Sequence, residues 1–170
     1  MHYTKKMGRN RWLALALGAV VAADWITKFL VQNHVRLGSN QAVVDGWVWL
    51  AHRENPGVSF SFLRDLPDPV RIPLLIAAAL VGIAVAGYIL VHTRDAATRV
   101  AAALVMAGAV GNLGDRVING AVTDFIFIRS FPFVFNVADV AITAGAVLLA
   151  WRLYVEEARH RRGSTPAPSA

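Results

Sequence analysis

Two short segments carry the residues best suited to acid–base chemistry: Ala121-Val-Thr-Asp124-Phe125 and Phe135-Asn136-Val-Ala-Asp139. Each sets an aspartate where the apolar pattern predicts a membrane boundary. A carboxylate at the centre of a spanning helix costs roughly 2.5–3.5 kcal/mol on insertion scales. Two acids fifteen positions apart at one boundary therefore point to a working pair. Brought to about 4 Å, two full charges repel by about 4 kcal/mol at an effective dielectric near 20, roughly three pKa units. One then holds a proton while the other stays anionic, and such a pair can activate water against a peptide carbonyl. The helix dipole makes Asp139 the more easily ionised member. No metal, cofactor or covalent intermediate is needed.

Other readings of these and neighbouring residues remain open. Asn136 and Asp139 also have the spacing of a capping box, with Asn136 as N-cap. Capping does not account for Asp124, which sits between Val122 and Phe125-Ile126-Phe127. Asn112, Asp115 and Arg116 fall at i, i+3 and i+4 and so share one helix face. Asp115 and Arg116 suit a solvated helix end equally well, whereas Asn112, one turn deeper, needs hydrogen-bond partners. Asp24 and Lys28 are spaced for an intrahelical ion pair near the interface. Lys28 also admits a serine–lysine hydrolase with Ser59 or Ser61 as nucleophile. The five histidines show no paired metal-ligand spacing, and His52, beside Arg53-Glu54, reads as exposed sheet.

The elements that must position these residues follow from hydropathy. The 170 residues are 56% hydrophobic and only 16% charged, with no cysteine, so disulfides, thiolate metal sites and a cysteine nucleophile are excluded. Four apolar stretches approach the ~20 residues that cross a bilayer: Trp12–Val31, Val70–Val91, Val100–Leu113 with its flanks, and Val137–Val155. The third is the weakest, ending in Asn112, Asp115 and Arg116. Between the first two, Trp47–His52 is rich in strand formers. Asn55-Pro56-Gly57 is turn chemistry, and Val58, Phe60 and Phe62 alternate with serines. These features predict a small external sheet, with Trp47 and Trp49 at the headgroups.

Charge sets the orientation. Lys5, Lys6, Arg9 and Arg11 precede the first span, Arg94 and Arg99 separate the second and third, and Arg152, Arg159, Arg161 and Arg162 follow or close the fourth. By the positive-inside rule these regions and both termini are cytoplasmic, leaving segments 34–69 and 118–136 external. Trp12, Trp151 and Tyr154 suit the inner aromatic belt. A basic start followed by Leu13–Val21 and small residues also resembles a cleavable signal peptide, but apolar character resumes at Trp25-Ile26 and makes the segment long enough to span. The expected organisation is a mainly α, polytopic membrane domain over residues 1–162 and a disordered polar tail over 163–170. The net charge of +6 lies at the ends and beside apolar runs, with no basic stripe interleaved with aromatics, so nucleic acid is not an expected partner.

From Asp24 to Ile142 the chain resembles the lipoprotein signal peptidases, the bacterial signal peptidase II family of membrane aspartic peptidases. Asp24-Trp-Ile-Thr-Lys28 is similar to the family's first motif and Asn55-Pro-Gly57-Val-Ser-Phe60 to its second. Gly108-Ala-Val-Gly111-Asn112-Leu-Gly-Asp115-Arg116, continuing through Gly120-Ala-Val122-Thr-Asp124-Phe125, resembles the third. Phe135-Asn136-Val-Ala-Asp139-Val-Ala-Ile142 resembles the last. The resemblance implies that Asp124 and Asp139 are the catalytic dyad. It further implies that Asn55, Asn112, Arg116 and Asn136 bind substrate or orient the dyad, and that Asp24, Lys28 and Asp115 are structural supports. The family usually carries Gln where this chain has Trp25. A mobile cover is implied between Phe62 and Pro69. The implied substrate is a diacylglyceryl-modified prolipoprotein, cut just before its lipidated cysteine by a monomer among the lipids of the inner membrane. The alternatives from other classes are a proton-coupled transporter component using the same acids as a relay, and a structural membrane scaffold.

Overall fold

A computed structural model describes residues 3–57 and 66–163. The described residues form four long helices and a small sheet: α1 Tyr3–His34, α2 Asp68–His92, α3 Ala96–Asn119 and α4 Val137–Gly163, with β1 Asn40–Val44, β2 Val48–Asn55, β3 Val122–Ile128 and β4 Val134–Phe135. Each helix contains a stretch long and apolar enough to cross a membrane, Arg11–His34, Asp68–His92, Ala96–Asn119 and Val137–Arg159. The protein is a multi-pass membrane protein. Large apolar side chains such as Phe29, Leu80, Val85 and Val147 point outward, as expected where lipid rather than water surrounds the bundle.

α3 is the central helix: 39% of its apolar window is buried, against 11–17% in the other three. Small residues permit this. A Cβ on Gly108 would collide with the Ala138 carbonyl, and one on Gly111 would lie 2.5 Å from Asp24 Oδ2. Glycine at these positions lets α3 approach α4 and α1 closely enough to place polar groups between them. At its start α3 is capped by Asp95, which accepts from the Thr98 N–H at 2.8 Å, and Arg152 of α4 reaches the same carboxylate at 2.7 Å.

At its end α3 stops on Gly120, whose φ of 72° is the left-handed conformation that glycine adopts without strain. The chain then turns directly into β3. The sheet is antiparallel in the order β1-β2-β3-β4, and it lies at the end of the bundle where α1 and α3 finish and α2 and α4 begin. Val31, Val35 and Phe125 form a buried apolar cluster, packed by Leu50, Ile126 and Val137, which ties the sheet to α1 and α4.

The sheet differs from the sequence expectation in its strands. β2 pairs with β1 through the turn Asp45-Gly46-Trp47 and with β3 on its other edge. Asp-Gly is a strong hairpin signal, and Trp47 consequently sits in the turn, exposed, rather than in the strand. The alternating segment at Val58, Phe60 and Phe62, the candidate nucleophiles Ser59 and Ser61, and the first half of the expected cover, residues 62–65, lie outside the described residues. So does the tail from residue 164, while Gly163 closes α4.

Candidate active site

Asp124 and Asp139 reach one cavity by different routes. Asp124 stands on β3, four residues past the Gly120 turn, and Asp139 in the first turn of α4. The cavity has a volume of about 1150 Å³ and is lined by both carboxylates together with Asn55, Asn112 and Arg116. Leu75 and Ala78 of α2, Ala109 of α3 and Ile142 of α4 supply apolar walls.

Asn136 joins the two acids. Its Nδ2 donates to Asp124 Oδ1 at 2.6 Å, its Oδ1 accepts from the Asp139 N–H at 2.9 Å, and its own N–H donates to Asp139 Oδ2 at 3.3 Å. The last two contacts are a capping box, as the spacing predicts, and the first sets the same side chain against Asp124. Asn55 Nδ2 donates to Asp124 Oδ2 at 2.9 Å, and Asn112 Nδ2 to Asp139 Oδ1 at 2.8 Å. Amide orientation is thereby determined at each asparagine. Burial pushes the Asp124 carboxyl up to about 7, reinforced by the nearby Asp139 charge and opposed by the Asn55 and Asn136 hydrogen bonds.

Behind this layer lies a buried ionic network. Lys28 Nζ meets Asp24 Oδ2 at 2.7 Å, Asp115 Oδ2 at 3.0 Å and Asn112 Oδ1 at 3.0 Å. Asp24 Oδ1 accepts from the Ala138 N–H at 2.8 Å, which fixes the start of α4. Asp115 Oδ2 accepts from the Thr123 N–H at 3.2 Å, which fixes β3 beside Asp124. Thus Asp24–Lys28 is an ion pair as the spacing predicts, but it is buried in the bundle and shared among three helices. Asp115 is likewise buried, against the solvated-end alternative: the compensating cation comes from α1, which no local pattern reveals. Arg116 donates to the Asn112 and Gly57 carbonyls at 3.3 and 3.0 Å and leans over the cavity.

Two further positions correct or extend the sequence reading. His52 is buried, 6% exposed, rather than lying on an open sheet face, because the chain leaving α1 crosses over it. Trp25 donates its indole N–H to the Gly111 carbonyl at 3.4 Å, and its ring occupies the space where a side chain on Gly114 would stand. Thr123, Glu54 and Gln32, linked by hydrogen bonds next to Asp124, carry no sequence signal that singles them out. Among the described residues no three His, Asp or Glu side chains are grouped as metal ligands.

Four apolar helices, three of which line with the sheet a cavity that gathers two carboxylates joined through Asn136, define a class: multi-pass membrane proteins with an acid-pair site. Comparison with known proteins narrows it. The model of the family described as signal peptidase (SPase) II matches residues 16–155. A lipoprotein signal peptidase of Pseudomonas syringae pv. tomato is 36% identical over 154 residues, covering 87% of this chain and 88% of that protein. One from Pelotomaculum thermopropionicum is 34% identical over 142 residues, covering 84% and 91%. A solved structure described as a bacterial membrane enzyme superposes with a TM-score of 0.75 at 26% identity, covering 83% of this chain and 91% of that one. The chain belongs to the signal peptidase II family of aspartic-type peptidases.

Proposed function

We propose that this chain is an inner-membrane aspartic endopeptidase that removes signal peptides from diacylglyceryl-modified prolipoproteins, cleaving just before the lipidated cysteine. The observation that carries the reading is the joining of Asp124 and Asp139 through Asn136 in one cavity with apolar walls. Asp139, the anion, takes a proton from water as the water attacks the scissile carbonyl. Asp124, whose burial favours the protonated form, donates toward the developing oxyanion and so stabilises the tetrahedral intermediate. Collapse of the intermediate expels the amine, which takes up a proton, and the pair returns to one shared proton. Because the two sites are coupled, their apparent pKa values belong to the pair.

Asn55 and Asn136 orient Asp124, Asn112 orients Asp139, and Arg116 faces the substrate backbone. Asp24, Lys28 and Asp115 support these groups from behind. Arg94 between α2 and α3, and Arg99 in the first turn of α3, lie at the end of the bundle away from the sheet, so by the positive-inside rule the termini are cytoplasmic and the cavity is at the external face. A lipid-anchored substrate reaches that face by lateral diffusion, its acyl chains against the apolar helix surfaces. Residues 1–162 act as one domain and as a monomer among membrane lipids. The proton-relay alternative is not favoured, since the family is one of peptidases. Incubating the purified protein with synthetic lipidated and unlipidated precursors tests the proposal. Cleavage confined to the lipidated peptide supports it; no cleavage, or equal cleavage of both, contradicts it.

A further inference from the structure

We infer that His52, Glu54 and Thr123 form a hydrogen-bonded chain on the far face of the sheet that positions Asp124 for the reaction. These are positioning residues, and the inference rests on the acid-pair reading above. The strand register supplies the geometry: Arg53 faces Asp124, Glu54 faces Thr123 and Asn55 faces Val122. Opposed residues share a face and successive residues alternate. Asp124 and its donor Asn55 therefore lie on one side of the sheet, and Glu54 and Thr123 on the other. Asp124 and its donor Asn55 each directly follow a member of the chain, Thr123 and Glu54.

Thr123 is fully buried. Its hydroxyl accepts from Gln32 Nε2 at 2.7 Å and donates to Glu54 Oε1 at 3.2 Å, while its N–H donates to Asp115 at 3.2 Å. The hydroxyl and the N–H of Thr123 are thus both held, which fixes the strand where it enters Asp124. Glu54 Oε1 also meets His52 Nε2 at 3.2 Å, and His52 Nδ1 meets the Val35 carbonyl at 2.7 Å. A carbonyl only accepts, so Nδ1 carries a proton. Nε2 then faces the Glu54 carboxylate and anchors it on the far side of the sheet.

The ring meets the Glu54 carboxylate among neighbours that are otherwise uncharged or held by other groups. From α1 and the segment leaving it come the uncharged Val35 carbonyl and Gln32 amide. From β3 comes Thr123, with Asp115 joined through its N–H. The adjacent Arg53 guanidinium is taken up by the Ser39 and His52 carbonyls and Asn40 Oδ1. The Thr123 hydroxyl is the link between this chain and β3 next to the dyad.

The test uses the full-length enzyme in detergent micelles with a diacylglyceryl peptide. Wild-type cleavage and its abolition in Asp124→Asn are established first, because failure there refutes the acid pair itself. Thr123→Val, which keeps the shape and removes the hydroxyl, is expected to lower kcat about ten-fold with KM within about two-fold. Thr123→Ser, which keeps the hydroxyl, is expected to hold kcat within about two-fold of wild type. Glu54→Leu and His52→Ala, which remove the acceptor shared by Thr123 and His52 and the ring that ties it to the Val35 carbonyl, are expected to lower kcat with little change in KM. A Thr123→Val kcat equal to wild type, a Thr123→Ser kcat as low as that of Thr123→Val, or a wild-type kcat in Glu54→Leu overturns the inference while leaving the acid pair intact. If Thr123→Val does not fold, the Glu54→Leu and His52→Ala values still decide.

Discussion

Replacing Lys28 with methionine probes the layer on which the site rests. Lys28 is 2% exposed and is the cation shared by Asp24 and Asp115, at 2.7 and 3.0 Å. At an effective dielectric near 20 each contact is worth about 6 kcal/mol of Coulomb attraction before desolvation is subtracted. Breaking a buried ion pair by removing one partner leaves the other charge uncompensated and typically costs about 3–5 kcal/mol. Lys28→Met keeps the unbranched stem as far as Cε and removes only the ammonium, so the expected loss of stability is of that order and is mainly electrostatic rather than steric. The same substitution frees Asn112 Oδ1, so Asn112 can turn its amide away from Asp139 and kcat falls further than KM changes. Unfolding free energies by steric trapping in bicelles measure the first effect, and cleavage of a lipidated peptide the second. Adding Asp24→Asn and Asp115→Asn removes the stranded charges and should recover part of the stability. A Lys28→Met protein as stable as wild type, or one made still less stable by both neutralising changes, would refute the reasoning.

Three other outcomes are expected. In Gly111→Ala the new Cβ would lie 2.5 Å from Asp24 Oδ2, so Asp24 must move, with a loss of about 1–3 kcal/mol in stability and reduced cleavage. Asn136→Ala removes both a helix cap, worth roughly 1 kcal/mol, and the donor to Asp124. Its kcat should fall about 100-fold, well beyond what the stability change explains. The raised pKa of Asp124, about 7 against an ordinary 3.8, means that the folded protein holds a proton which the unfolded chain releases. The contribution of this residue to stability is greatest below the ordinary value. It declines as pH rises through the window between the two values, by roughly a few kcal/mol, and levels off above it. Asp124→Asn abolishes that decline, which unfolding measurements across the window would detect, and wild-type kcat should drop as pH passes about 7.

The spans were legible because lipid selects apolar residues irrespective of their partners, and the four expected stretches fall inside the four helices. The four polar motifs were legible because carboxylates and amides at a membrane boundary demand partners. What could not be read was which partner each would find. Asp115 looks solvated until Lys28 arrives from α1, and His52 looks exposed until Val35 covers it. β1 was missed because its five residues are all exposed and carry no alternating pattern. Thr123 is an ordinary strand residue by type, and only the register opposite Glu54 gives it meaning. Trp25 departs from the family's usual Gln, and its accommodation depends on Gly114, eighty-nine positions away in sequence.

The most direct measurement of the acid pair is a double-mutant cycle on kcat with a lipidated precursor, using Asp124→Asn, Asp139→Asn and both together. Residues that act as one unit lose nearly everything when either is removed. Each single variant should therefore be as inactive as the double, with substrate still bound. Substantial cleavage by either single variant, or losses that simply multiply in the double, would contradict the shared-proton mechanism.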